Sequence, residues 1–124
     1  MPYRLIWEKN GLVEVYSGEV TGPEMNRLNE LVAADPRFDS LWWIIADVSD
    51  ASATEDLADY YEEGAAMAYA ASRSNNRIII AVVAPDPKMA KIAARFQEYP
   101  SPFPYRIFSS MEAAREWIWA NTCQ

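Results

Sequence analysis

Apolar and polar residues follow two different patterns along this chain, and the first pattern predicts strands. The runs YRLIWE and LVEVYSGEV near the start are strand-like and are joined by Lys9-Asn10-Gly11. Because Asn-Gly accepts the positive φ angles of a type I′ turn, they predict a β-hairpin. Two later runs, at 41–48 and 77–84, are apolar at every position but one, which is typical of strands buried on both faces of a parallel sheet. A short fifth strand is predicted at 105–108.

The second pattern, apolar residues at helical spacing after a capping signal, predicts four helices. Three of them follow Ser/Thr-x-x-Glu capping boxes, which begin at Thr21, Ser52 and Ser109, and one follows Pro85-Asp86-Pro87. The box at Ser52 predicts a long alanine-rich helix over about residues 53–73. The order β-β-α-β-α-β-α-β-α predicts one α/β domain spanning 1–124, with a five-stranded mixed sheet: an N-terminal hairpin, then parallel β-α units.

Composition narrows the classes of function. The 124 residues are 51% hydrophobic, which suits one core, and the net charge of −7 disfavours binding to nucleic acid or to an anionic membrane surface. The chain has no histidine and one cysteine, Cys123, so the commonest metal ligands and catalytic bases are missing. We expect no metal, no cofactor and no enzymatic activity. With no apolar segment of membrane-spanning length and no signal-peptide pattern, we expect a cytoplasmic protein.

Several segments together carry a family resemblance that covers nearly the whole chain. They are Gly18-Glu19-Val20-Thr21 before the first helix, the strand Trp43-Ile44-Ile45-Ala46-Asp47, the strand at 77–83 and the C-terminal segment FSSMEAAREWI at 108–118. In this order the segments resemble the SpoIIAA-like family, relatives of the STAS domains of anti-sigma-factor antagonists and anion-transporter tails. The resemblance implies a five-stranded sheet backed by helices, in a domain that binds rather than catalyses.

The family also implies a regulatory site, from which this sequence departs. In anti-sigma antagonists, a serine after the central strand is phosphorylated within an Asp-Ser-Ser-Gly-like sequence. The corresponding residues here are Asp47-Val48-Ser49-Asp50-Ala51-Ser52, without that string and without a following glycine. The phosphorylation switch therefore does not transfer directly, although Ser49 and Ser52 are candidate phosphorylation sites.

The segment 47–61 is the candidate binding face. Ligands of α/β sheets bind beyond the carboxyl ends of parallel strands, and a helix N-terminus predicted there would favour an anion. Ser52 has the alternative role of capping the helix, and the nearby acidic residues are more typical of a solvated helix start than of a metal site. The candidate binding residues are Asp47, Ser49, Asp50, Ser52, Leu57, Tyr60 and Tyr61.

Two functional hypotheses follow from these observations. The first is a non-enzymatic STAS-like interaction or regulatory module that docks a protein partner through the 47–61 face, with phosphorylation as a candidate gate. The second is a carrier or sensor of a small apolar or amphipathic ligand held between sheet and helices. The carrier requires a cavity, whereas the module requires a filled core and an exposed apolar patch. Self-association into a homodimer through the helix at 53–73 is also predicted, because Gly64 and Ala68 would allow close approach by another helix; the alternative is that they pack against the protein's own sheet.

Overall fold

The fold is built on five strands that lie side by side in chain order. A computed structural model describes residues 3–122, so Cys123 lies outside the described residues. The first two strands are antiparallel and the other pairs are parallel, which confirms the predicted mixed sheet with four helices. The strands are β1 (Tyr3–Glu8), β2 (Gly11–Val20), β3 (Trp43–Ala53), β4 (Ile79–Val83) and β5 (Tyr105–Phe108). The helices are α1 (Gly22–Ala34), α2 (Tyr61–Ala71), α3 (Pro87–Phe96) and α4 (Met111–Asn121), and two 3-10 helices occupy Pro36–Ser40 and Glu55–Tyr60.

The opening hairpin forms, but its turn lies one residue earlier than predicted. Glu8 pairs with Gly11, so the connecting residues are Lys9 and Asn10, and only Asn10 of these has a positive φ, of 58°. A type I′ turn needs positive φ at both central residues, so that prediction is wrong. Gly11 is required for another reason: a Cβ there would lie 1.9 Å from Cε2 of Trp43, whose ring packs against its backbone.

The helices divide unequally between the two faces of the sheet. Successive strand residues point to opposite faces, so Leu12 and Ile44 pack beneath α1, while Val13 and Ile45 pack with Ile118 of α4. The strand side chains that contact α2 and α3 alternate along each strand with those that contact α4. Helices α2 and α3 therefore lie on the same face of the sheet as α1. One face therefore has three helices and the other has one.

The largest departure from the predicted elements concerns the second helix. Strand β3 continues to Ala53, and the α-helix begins only at Tyr61, after a 3-10 helix. Residues 50–53 pair with 17–20 of β2 after a bulge, so Ser52 lies opposite Glu19 in the sheet and does not cap a helix. The local Ser-x-x-Glu signal is overridden by long-range strand pairing.

The other predicted helix starts are close to those observed. Thr21 and Glu24 form the reciprocal capping box of α1, with both hydrogen bonds at 3.2 Å. Helix α4 is capped by Ser110, one residue later than predicted, and α3 by Asp86. No helix within residues 3–122 is long and apolar enough to cross a membrane.

Candidate functional site

A cavity of about 590 Å³ lies between the sheet and helices α2 and α3. Its floor includes Ala46, Val48, Ala51 and Ala53 of β3, and its walls include Gly64, Ala65 and Ala68 of α2 and Ile92 and Phe96 of α3. Most lining side chains are small, aliphatic or aromatic. This volume falls within the ~300–1,000 Å³ typical of small-molecule pockets.

The cavity exists because small side chains on α2 face small side chains on β3. Tyr61 is the only residue of α2 that is fully buried, so this helix covers the sheet without filling the space beneath it. Gly64 and Ala68 line the cavity and do not form an outward seam. This position favours the alternative in which they allow close approach to the protein's own sheet, and self-association through this helix stays a prediction.

An aromatic cluster joins the two helices that cover the cavity. The ring of Tyr61 lies 3.9 Å from that of Phe96 on α3, centroid to centroid, and 5.7 Å from that of Tyr99 in the following turn. The Tyr61 hydroxyl donates to the carbonyl oxygen of Ile92 at 3.3 Å. Burial raises the pKa of Tyr61, so its hydroxyl keeps its proton and remains a donor. This cluster holds α2 to α3 along one side of the cavity.

A carboxyl group lies in this apolar surface. Glu14 of β2 is only 5% exposed and lines the cavity beside Tyr16, which is 7% exposed. The Tyr16 hydroxyl donates to Oε1 of Glu14 at 3.4 Å, which is long for a hydrogen bond between oxygens. Burial raises the pKa of Glu14 to about 7, an effect that this hydrogen bond opposes, and burial also raises the pKa of Tyr16.

Glu14 was missed by the sequence analysis, although a signal for it exists. The neighbouring residues Leu12, Val13, Val15 and Tyr16 are apolar on both faces of the strand, as in a strand covered on both sides. A charged residue in the middle of such a run is buried unless its face of the sheet is left uncovered by helices. Charged residues are rarely fully buried without a partner, so Glu14 qualified as a candidate site residue.

The predicted binding residues separate into two groups. Leu57 and Tyr61 are buried and line the cavity. Tyr60 packs its ring on Gly22 at the start of α1, where a Cβ would lie 2.0 Å from Cδ2 of the ring. Its carbonyl oxygen accepts from Nδ2 of Asn26 at 3.5 Å, so Tyr60 connects α1 to the 3-10 helix before α2.

The four polar residues of the predicted loop lie in β3 and do not line the cavity. Asp47 accepts from the backbone and the hydroxyl of Ser49, and Ser49, Asp50 and Ser52 are exposed. No α-helix N-terminus follows them directly, so the anion site predicted from a helix dipole lacks its helix. Within residues 3–122, no three acidic, histidine or cysteine side chains form a group that could hold a metal ion.

Comparison with known proteins identifies the fold. No protein-family model matches the sequence, and no curated protein matches it. Among solved structures, the anti-sigma factor antagonist SpoIIAA in its unphosphorylated form superposes with a TM-score of 0.59 at 15% identity, over 94% of this chain and 97% of that one. An uncharacterised protein with a SpoIIAA-like fold from Shewanella loihica PV-4 gives a TM-score of 0.56 at 13% identity, over 94% and 91%. Phosphorylated SpoIIAA from Bacillus gives 0.52 at 14% identity, over 93% and 98%.

The chain is therefore an α/β domain with a SpoIIAA-like fold. The likeness spans nearly the full length of both partners in each comparison, which confirms the resemblance drawn from the sequence. At 13–15% identity it establishes the fold, while functional conclusions have to come from the site itself.

Proposed function

We propose that this protein binds a small, largely apolar molecule in the cavity between its sheet and helices α2 and α3. The cavity itself is the observation that supports this proposal, because small-molecule sites are concave and lined mostly by apolar side chains with a few polar groups. We further propose that the protein acts as a cytoplasmic carrier or sensor and has no catalysis of its own, since it has no histidine and its one cysteine lies next to the C-terminus.

The shape of the domain around the cavity also supports a ligand. Three of the five lining residues of β3 are alanine, the lining residues of α2 beyond Tyr61 are glycine or alanine, and the covering helix is fastened mainly at its Tyr61 end. The large exposed apolar side chains, by contrast, lie on separate elements: Ile6, Leu31, Tyr69, Tyr99 and Trp119. None of them lies in the 47–61 segment, so the predicted docking face has no large exposed apolar side chain.

A pair of phenylalanine variants on one helix tests the proposal. Ala68 lines the cavity and Ala70 is exposed, so Ala68→Phe fills the site, whereas Ala70→Phe adds the same side chain outside it. Titration with the neutral dye Nile red should give saturable fluorescence with the wild-type protein and with Ala70→Phe, and at least about tenfold weaker binding with Ala68→Phe. Circular dichroism checks that both variants are folded.

Equal affinities for the two variants, or no saturable binding to the wild type, would contradict the proposal. Native mass spectrometry of protein purified gently from its own host gives an independent measurement. A mass increment that disappears on denaturation supports a bound small molecule.

Docking of a protein partner is a second candidate function, favoured by the fold and by the exposed outer part of β3. One similar structure is an anti-sigma factor antagonist, and SpoIIAA has been solved in both unphosphorylated and phosphorylated forms. In this chain the exposed hydroxyl of Ser49 donates to Asp47, and Asp50 and Ser52 are exposed beside it. A phosphate on Ser49 would replace that hydrogen bond with repulsion between like charges and so alter the surface.

Peptide mapping of protein isolated from its host tests this second candidate. Phosphate at Ser49 or Ser52 supports a switchable docking face, and its absence under all growth conditions would count against phosphorylation control.

Self-association also stays a prediction, now through the outer side of α2, where Tyr69 is 48% exposed. Comparing the sedimentation coefficient of a Tyr69→Glu variant with that of the wild type measures whether the protein self-associates through this surface.

A further inference from the structure

The carboxyl group of Glu14 has almost no partner within the protein. Among residues 3–122, its single hydrogen bond comes from Tyr16, on the same strand, at 3.4 Å, and no ion pair reaches it. It is nonetheless 5% exposed and lies in the cavity surface. Burying a carboxylate without a cation or several donors is unfavourable, so this position is costly unless something else supplies them.

The rest of the described cavity offers no such compensation. Glu14 is the only charged residue among those that line it, and no lysine or arginine is included. After burial and Glu14 itself, the groups that raise the pKa of Tyr16 are two more tyrosines, Tyr105 of β5 and Tyr3 of β1. Helices α1 and α3 contribute no titratable side chain to the lining, and α2 contributes only Tyr61.

Two of the tyrosine hydroxyl groups that line the cavity are also committed elsewhere. Tyr61 donates to the carbonyl of Ile92, and Tyr105 donates to the carbonyl of Ala93 at 3.1 Å. Neither proton is directed at Glu14. Among the lining residues Glu14 is thus the one carboxyl group; Asn29, Gln97 and Ser101 are polar but neutral, and most of the other side chains are apolar.

On the basis of the proposed cavity function, we propose that Glu14 selects ligands with an apolar body and a protonated amine, and disfavours fatty acids of the same length. An ammonium group supplies both the positive charge and the hydrogen-bond donors that the surroundings of the Glu14 carboxyl group lack. A carboxylate at the same place would meet a like charge whenever Glu14 is ionised.

A pH signature follows from the same geometry. The pKa of Glu14 is raised to about 7 in the protein, whereas an alkylamine keeps its proton to a pH of about 10. Amine affinity should therefore rise by about tenfold between pH 5.5 and 8, as Glu14 becomes ionised, and affinity for an alcohol should stay flat.

Three probes of equal chain length test the head-group preference: dodecylamine, 1-dodecanol and dodecanoate, each displacing Nile red below its micelle concentration. Wild-type protein at pH 7.5 should bind the amine about tenfold more tightly than the alcohol, and the acid least tightly. In Glu14→Gln, which keeps the shape but not the charge, the amine-to-alcohol ratio should fall close to one, while alcohol affinity changes little.

The protein is acidic overall, so a control for non-specific attraction of the amine is essential. Glu19→Gln removes the same charge from an exposed position on the same strand and should leave all three affinities unchanged. If the acid binds as tightly as the amine, or if Glu14→Gln keeps the amine preference and its rise with pH, the head-group proposal is overturned. If no probe and no Nile red binds, the cavity function itself fails, so the two failures are distinguishable.

Discussion

Replacing Glu14 with glutamine should remove a loss of stability that the wild-type protein suffers as the pH rises. The folded protein holds this carboxyl in an apolar cavity with one long hydrogen bond, whereas the unfolded chain exposes it to water. The two states therefore release its proton at different pH values. Glutamine has nearly the same shape and no proton to release.

The size of the effect follows from the shift in pKa. Burial raises the pKa of Glu14 from 4.5 to about 7, and each pKa unit corresponds to about 1.4 kcal/mol, which gives about 3 kcal/mol in all. Below pH 4.5 both states are protonated and the group contributes nothing. Between pH 4.5 and 7 the unfolded chain ionises first, so the free energy of unfolding falls, and above pH 7 the loss is complete.

Urea unfolding followed by tryptophan fluorescence at several values from pH 4.5 to 8 measures this difference, on protein that has been unfolded and refolded to remove bound molecules. The free energy of unfolding of the wild type, minus that of Glu14→Gln, should fall by about 3 kcal/mol over this range. The chain has no histidine, the side chain that ordinarily titrates in this window, so the background is unusually low. The exposed control Glu19→Gln should follow the wild type. Parallel curves for wild type and Glu14→Gln would refute the reasoning.

Three further substitutions test how the fold holds the site, each measured by urea unfolding. Gly11→Ala should lower the free energy of unfolding by about 1–3 kcal/mol, because its Cβ would lie 1.9 Å from the ring of Trp43. An unchanged unfolding midpoint would show that the ring moves freely. Asn75→Ala should lower the free energy of unfolding by about 2–3 kcal/mol, because this buried amide donates to two backbone carbonyls at 2.8 Å just before β3. An unchanged free energy of unfolding would mean that water replaces the amide. Thr21→Ala should lower the free energy of unfolding by about 1 kcal/mol by removing the cap of α1. If Glu24→Ala causes a similar loss and the double variant loses less than the sum of the two, the reciprocal box is confirmed; strictly additive losses would contradict it.

Local patterns in the sequence predicted most of the elements. Continuous apolar runs identified β3 and β4, whose parallel pairing explains why neither alternates with polar residues. The capping box at Thr21 marked the start of α1 at the correct residue. These signals succeeded because the energy that decides them comes from neighbouring residues or from complete burial, and both are visible in a short segment.

The start of α2 was decided by contacts that no short segment contains. The Ser52 capping box would stabilise a helix by about 1 kcal/mol. Pairing of residues 50–53 with β2 satisfies several backbone groups at once, and it continues at Thr54, whose N–H donates to the carbonyl of Val20 at 3.1 Å. The long-range ladder prevails, and it turns the predicted ligand loop into a strand.

The cavity shows the same division between local and tertiary information. The sequence by itself determined the mixed α/β sheet, the hairpin, the apolar faces and the small size of the residues at Gly64 and Ala68. Only the tertiary structure decided that these two residues face their own sheet and how far α2 stands from it, because the position of α2 depends on contacts between distant residues, such as Tyr61 with Phe96 of α3. The same spacing decided that Glu14 faces a cavity and not a filled core. The residue type fixes the charge at this position, whereas the distance to the covering helix fixes the space around the side chain.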